Sequence, residues 1–205
     1  MRSPDQNDNF IIESDLDRAT RITNDYLVEL PTWLALQATV VPIVEGIAQE
    51  FDRPTNVVNR LKSTESLIRK LLTRSTEVTQ LHEITDLLGI RVVTPNLDSI
   101  ASIVARIEAA FRVNEHKSGL RTNPAGYRTR HMVCALPSDT TPRWFEIQVR
   151  TVGEHAWSEL QHPIYKGAAA DEDTTKTLVK IATLYHEAES LAAGLRRRFH
   201  AGQGL

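Results

Sequence analysis

Trp144-Phe145-Glu146-Ile147-Gln148-Val149-Arg150-Thr151 is the stretch from which the rest of the chain is read. Its strict period of two sends Phe145, Ile147 and Val149 to one side of a strand and Glu146, Gln148 and Arg150 to the other. Burying the apolar side leaves a carboxylate, an amide and a guanidinium on a rigid support, which is what a catalytic floor requires. An ordinary half-buried strand facing water shows the same alternation, so the flanking segments decide between the two.

Just upstream, Gly126-Tyr127-Arg128-Thr129-Arg130-His131-Met132-Val133 reads as a second strand with Tyr127, Thr129 and His131 on one face. The run Pro137-Ser138-Asp139-Thr140-Thr141-Pro142 is a turn, so the two strands are expected to form an antiparallel hairpin with converging polar faces. Tyr127 offers a flat π-face to a nucleobase and His131 a compact donor to phosphate or ribose, with packing at the edge of the core as the alternative for both. Residues from Arg112 to Gly126, with Lys117, Gly119, Arg121, Asn123 and Pro124, are expected to form a mobile loop able to close over a ligand. Earlier, Gly89 to Val93 reads as a buried strand with Asp86 at its mouth, where Asp is ordinarily a turn or capping residue. The apolar spacing of Ile100, Ile103, Val104, Ile107 and Phe111 predicts a helix over 97–112, giving a strand, helix, strand unit.

The N-terminal part reads as helical. A helix is expected from Ser14-Asp15, interrupted by Pro31; a second runs from Thr32 through Leu34, Val40, Ile43, Val44 and Ile47 to Phe51, bent at Pro42. A third, over about 56–73, turns Leu61, Ile68, Leu71 and Leu72 inward and carries Lys62, Ser66 and Lys70 at intervals of four, with Arg60 nearby. A solvated basic face is the usual meaning of such a stripe. After Lys166, residues 167–175 read as a mobile linker. The terminal helix then carries Leu178, Ile181, Ala182, Tyr185, Ala188, Leu191 and Leu195 on one stripe, which either covers the sheet or meets another subunit. Arg196-Arg197-Arg198 complement its C-terminal dipole.

Composition narrows the function classes. The chain has 205 residues, 41% hydrophobic and 24% charged, enough for one sizeable core. A net charge of -2 argues against a protein that coats nucleic acid electrostatically, so any ligand is held locally. The single Cys134 lies in an apolar run and reads as packing, and its usage suits a reducing cytosol. No uninterrupted apolar segment of membrane length and no signal-peptide core is read, so the expectation is a cytoplasmic protein without a membrane partner.

Four separated pieces carry a family resemblance: NRLKSTESLIRKL at 59–71, ITDLLGIRVV at 84–93, GYRTRH at 126–131, and FEIQVRT with HAWSELQH at 145–162. In this order they resemble the synthetase domain of the RelA/SpoT alarmone synthetases, most specifically in the ExQxRT strand followed by HAWxExxH. The resemblance implies a mixed α/β (α+β) fold of the nucleotidyltransferase-like type, a mixed β-sheet flanked by helices. It also implies transfer of the β,γ-pyrophosphate of ATP to the 3′-hydroxyl of GDP or GTP, giving ppGpp or pppGpp. Arg60, Lys62, Ser66, Lys70 and Arg91 would face ATP, and Asp86 with Glu146 would hold Mg²⁺, Glu146 also being able to accept the proton of the attacking hydroxyl. Tyr127, His131, Gln148, Arg150, Glu159 and His162 would line the acceptor side, although Gln148, Glu159 and His162 can equally brace the fold.

This chain departs from the family pattern in Thr129, in Arg130, and in the loop Arg121-Thr122-Asn123-Pro124-Ala125-Gly126, which lacks the usual lysine and has Ala125 where an amide is expected. Lys117, Arg121 or Arg128 could supply the missing charge. An alternative acceptor is therefore kept: an adenine nucleotide or the 3′ end of tRNA, as in the toxin branch, with Arg121, Arg128, Arg130 and the terminal arginines as an RNA path. A nucleotide-binding regulator without turnover is the reading from another class. Nothing resembles the family's His-Asp hydrolase site. The expected organisation is an N-terminal helical extension over 1–55, a synthetase core over 56–166 and a C-terminal linker and helix over 167–205, within one globular domain. A homo-oligomer and an antitoxin partner are left open.

Overall fold

The computed structural model describes residues 14–51, 55–74, 78–126, 128–167 and 171–202. Among these, six strands form one mixed sheet in the order β1 (Asn56–Leu61), β2 (Leu88–Thr94), β6 (Phe145–Thr151), β5 (Arg128–Ala135) and β3 (Arg112–Val113), while β4 (Gly119–Thr122) also pairs with β5. β2 and β6 run parallel, and the remaining pairs are antiparallel. The expected hairpin of β5 and β6 is present, with His131 opposite Gln148 and Val133 opposite Glu146. Among the described residues, five α-helices accompany the sheet: α1 (Asp15–Gln49), α2 (Thr64–Arg74), α3 (Ser99–Ala110), α4 (Val152–Gly167) and α5 (Glu172–Gly202).

Strand alternation divides the sheet into two chemically different faces. Ile90 and Val92 of β2, Met132 and Cys134 of β5, and Phe145, Ile147 and Val149 of β6 share a core with Tyr26, Trp33, Val40 and Val44 of α1, Leu67 and Leu71 of α2, and Ile103 and Ile107 of α3. Phe111 meets Phe145 edge-on at 5.5 Å. Cys134 is fully buried there, and burial pushes its thiol up to about 12, so it packs as a small apolar group. The opposite face carries Arg91, His131, Glu146 and Gln148.

Several local expectations are corrected. Pro31 does not interrupt the first helix: α1 is continuous through both Pro31 and Pro42. Each proline removes the hydrogen bond to the carbonyl four residues earlier, at Leu27 and Ala38. Both carbonyls and both prolines lie on the exposed side, where water can replace the lost bonds, while Trp33, Leu36, Val40 and Val44 keep the other side buried. α1 is long and apolar enough to cross a membrane by length and composition, contrary to the sequence reading, but this buried side belongs to the core.

Residues 56–61 are strand, not the first turns of a helix, because Asn56-Val57-Val58-Asn59-Arg60-Leu61 alternates across an edge strand. Arg60 and Lys62 therefore lie outside α2, whose buried residues are Leu67 and Leu71, with Leu72 46% exposed. The supposed loop from Arg112 to Gly126 contains β3 and β4, which use the backbone groups of β5's outer edge. The helix expected over 97–112 is confined to Ser99–Ala110. Within the supposed linker, α4 extends to Gly167 and α5 starts at Glu172, while residues 168–170 lie outside the described residues. Only part of the terminal apolar stripe packs: Leu178 is buried, whereas Leu191 and Leu195 are exposed.

Thr151 joins the sheet to α4 through a reciprocal cap. The Glu154 N–H donates to Thr151 Oγ1 at 3.1 Å and the Thr151 N–H to Glu154 Oε2 at 3.0 Å, as the sequence Thr151-Val152-Gly153-Glu154 permits. Replacing Ile147, fully buried at the centre of β6, by Ala should cost about 2–5 kcal/mol in denaturant unfolding. Val28→Ala, at a site 82% exposed, should stay within about 0.5 kcal/mol of the parent.

Candidate active site

Two carboxylates organise the polar face. Asp86 lies in the turn before β2, where Lys62 Nζ donates to Oδ2 at 2.9 Å and Lys70 Nζ to Oδ1 at 2.7 Å. Lys62 follows β1, and its backbone is fixed twice: its N–H donates to the Leu87 carbonyl at 2.7 Å, and its carbonyl accepts from the Tyr26 hydroxyl at 2.9 Å. Lys70 comes from α2, three residues after the buried Leu67 and so beside it on the helix surface. Lysines separated by eight positions thus converge on one carboxylate although only one of them is helical.

Glu146 is held on both oxygens. Oε2 lies 2.8 Å from His131 Nδ1, and Oε1 accepts from Gln148 Nε2 at 2.5 Å. Arg150 Nη2 donates to Gln148 Oε1, extending the array along β6 to a side chain only 1% exposed. A third contact closes the face from α4, where Glu159 Oε1 accepts from Arg91 Nη1 at 2.7 Å.

Electrostatics follow from this pairing. Burial alone would push the Asp86 carboxyl up, but Lys70 and Lys62 together outweigh it and hold it below its ordinary range. Burial likewise opposes ionisation of Glu146; the contacts with His131 and Gln148 overcome it, against a smaller upward influence of the Asp86 charge.

The predicted site residues are not all equivalent. Lys62, Lys70 and Asp86 form one group, Glu146, His131, Gln148 and Arg150 a second, and Arg91 with Glu159 a third. Arg60 is exposed on β1, opposite Gly89 and on the face of Arg91. Ser66 serves the start of α2: its N–H donates to Ser63 Oγ at 3.2 Å, and its hydroxyl oxygen accepts from Ser63 Oγ at 2.9 Å. Tyr127 and the His162 side chain lie outside the described residues.

Arg150 is only 1% exposed, on the same side of β6 as Glu146 and Gln148. Arg130, across from Val149, points to the opposite side of the sheet from Glu146. Sequence reasoning passed over His155, the first histidine of HAWSELQH, whose Nδ1 lies 3.9 Å from Glu159 Oε1. Burial and the neighbouring Arg150 hold its imidazole below the ordinary value. The histidine spacing was visible, but nothing in it linked His155 to Arg150.

Among the described residues, no three His, Cys, Asp or Glu side chains cluster as a metal cage. Two ionised carboxylates are nevertheless a donor set suited to a hard cation that retains waters and takes its remaining oxygens from a nucleotide.

A family model described as "Region found in RelA / SpoT proteins" matches residues 59–170, more than half of the chain. The chain belongs to the RelA/SpoT family. It is 28% identical over 151 residues to the GTP pyrophosphokinase YwaC of Bacillus subtilis (strain 168), spanning 68% of this chain and 72% of that one. The crystal structure of small alarmone synthetase 1 from Bacillus subtilis aligns with TM-score 0.70 at 19% identity, over 87% of this chain and 99% of the other. The same protein bound to its product pppGpp aligns with TM-score 0.68 at 18% identity, over 88% and 99%. Small alarmone synthetase 2 from the same organism aligns with TM-score 0.65 at 23% identity, over 85% and 97%. The family's mixed α+β fold, with a mixed sheet flanked by helices, is therefore present here.

The depressed Asp86 and Glu146 values set a pH dependence. Their contribution to stability is present above about pH 4, where the same groups are ionised in the unfolded chain, and is lost as pH falls through the lower folded values. Lys70→Met removes one compensating cation and brings the folded Asp86 value up toward the unfolded one, so the variant should be less stable near neutrality and lose less stability on acidification than the parent. Denaturant midpoints compared from about pH 3 to 7 test this, and superimposable acid limbs would contradict it.

Proposed function

We propose that this chain is a small alarmone synthetase, an ATP-dependent pyrophosphokinase that transfers the β,γ-pyrophosphate of ATP to the 3′-hydroxyl of GDP or GTP and releases AMP. The observation that carries this reading is the pairing of Asp86 with Lys62 and Lys70 at the entry to β2, beside the strand on which His131 and Gln148 hold Glu146. Family membership and the likeness to YwaC support it. Residues 56–166 carry the synthetase core, 1–55 the N-terminal helical extension and 167–205 the C-terminal linker and helix.

In this reading, Lys62, Lys70, Arg91 and Arg60 receive the ATP phosphates, with Ser66 at the edge of the same surface. Asp86 and Glu146 would hold Mg²⁺, which when bound supplies positive charge to offset that of the phosphates. The acceptor's 3′-oxygen bonds to the β-phosphorus of ATP as the bond from that phosphorus to the α,β-bridging oxygen breaks. The electron pair leaves with AMP, and Glu146 takes the hydroxyl proton. His131 and Gln148 fix the carboxylate that receives it, Arg150 and Glu159 brace this side, and Tyr127 and His162 complete it by resemblance. The buried side of α1 supports a soluble protein, and a cytoplasmic location fits nucleotide substrates.

The tRNA alternative is less well supported. Arg130 faces away from Glu146, and two of the terminal arginines are engaged elsewhere: Arg196 Nη1 donates to the Pro95 carbonyl at 2.8 Å and Arg197 Nη1 to Asp98 at 2.6 Å.

Purified protein with Mg²⁺ and γ-labelled ATP, offered GDP, GTP, AMP, ADP, ATP and deacylated tRNA separately, should label GDP or GTP. Label confined to adenine nucleotides or tRNA would replace this reading with the toxin-type one, and no transfer would favour a nucleotide-binding regulator. Glu146→Gln should keep the parent melting behaviour and lose turnover by about 10²-fold or more, whereas full activity would remove Glu146 from the chemistry.

A further inference from the structure

We infer that α5 forms part of the acceptor site by fixing the turn that feeds β5, with Ala182 as the positioning residue; this rests on the synthetase reading above. The turn at Asn123–Gly126 is closed internally. The Ala125 N–H donates to Asn123 Oδ1 at 3.0 Å and the Gly126 N–H to the Asn123 carbonyl at 3.0 Å. Its outer surface is seated on helices. Ala125 is fully buried with Trp157 of α4 and Leu178 of α5 in an apolar cluster separate from the main core, against which Ile181 and Ala182 pack.

Gly126 shows how close the seat is. Its φ of +85° favours glycine, and a Cβ built there would lie 2.5 Å from Ala182 Cβ. The α5 surface therefore meets the turn at its backbone, leaving no side chain between them to absorb a displacement. Ala125, a departure from the family pattern, acquires a physical reason: an amide at this position would be buried among Trp157 and Leu178, where an unsatisfied polar group is costly.

The helix is itself anchored beyond this contact. Glu189 Oε1 accepts from the Gly153 N–H in the first turn of α4 at 2.8 Å, and Arg196 and Arg197 bind the segment after β2. A shift of Ala182 relative to the sheet is transmitted through Gly126 into β5, which carries His131 and its contact with Glu146. Lys62, Lys70 and Asp86 come from the end of β1, from α2 and from the entry to β2, across β6 from this strand. Acceptor handling should consequently respond to Ala182 more strongly than ATP handling does.

The test is Ala182→Leu in the full chain, checked for parent-like helix content and cooperative melting. The acceptor KM should rise about tenfold or more while the ATP KM stays within about twofold. Hydrogen exchange over residues 119–126 should show lost protection at Ala125 and Gly126. Ala182→Gly, which loosens the seat without adding bulk, should produce a smaller rise with the same selectivity and serves if the leucine variant does not fold. Parent-like acceptor KM and exchange in a folded variant would overturn the inference, as would parallel rises in both KM values. If the parent protein transfers to no acceptor, the synthetase reading fails by itself. The exchange measurement then decides this inference: lost protection supports the tether and unchanged protection overturns it.

Discussion

The parallel pairing of β2 with β6 is the constraint on which the site depends. It sets Gly89 beside Glu146 and Arg91 beside Gln148, so the turn that holds Asp86 opens next to the only strand, among the described residues, carrying a carboxylate on the polar face. A one-residue slip of β6 would turn Glu146 into the core and Ile147 toward solvent. Phe145, Ile147 and Val149, all fully buried, oppose that slip. Hydrophobic burial on one face thus fixes the chemistry of the other.

The charges on that face compensate one another in separate groups. Two ammonium groups sustain Asp86, and an imidazole with an amide sustains Glu146, although the Asp86 charge opposes ionisation of Glu146. In a partly buried environment such pairs interact more strongly than in water, and each carboxylate remains available as an anion. Under the proposed function, nucleotide phosphates compete with Asp86 for Lys62 and Lys70. Asp86, relieved of the lysines, would be left to hold a cation, which would link nucleotide binding to cation binding through residues already in contact.

Much of this arrangement was legible in the sequence because β6 alternates so strictly. The β5–β6 hairpin, the strand after Asp86 and the burial of Cys134 followed from the same local rules. Other features depended on context that no short window contains. Pro31 sits inside a helix because its unsatisfied carbonyl partner faces water. Residues 56–61 resemble helix only until the sheet edge beside β2 is known, and residues 112–126 look like a loop until β5 offers its outer edge. The i, i+4 reading of Lys62, Ser66 and Lys70 rested on the wrong element, yet both lysines reach Asp86 because β1 ends where α2 begins. Ala125 appeared as a missing amide, and only the packing of α4 and α5 gives it a role.

The most direct test of the shared site is to titrate Mn²⁺, followed by its EPR signal, into protein saturated with a non-hydrolysable ATP analogue. The account predicts a bound ion in the parent protein, with affinity falling about tenfold or more in both Asp86→Asn and Glu146→Gln. Parent-like affinity in either folded variant would contradict a cation held jointly by the two carboxylates.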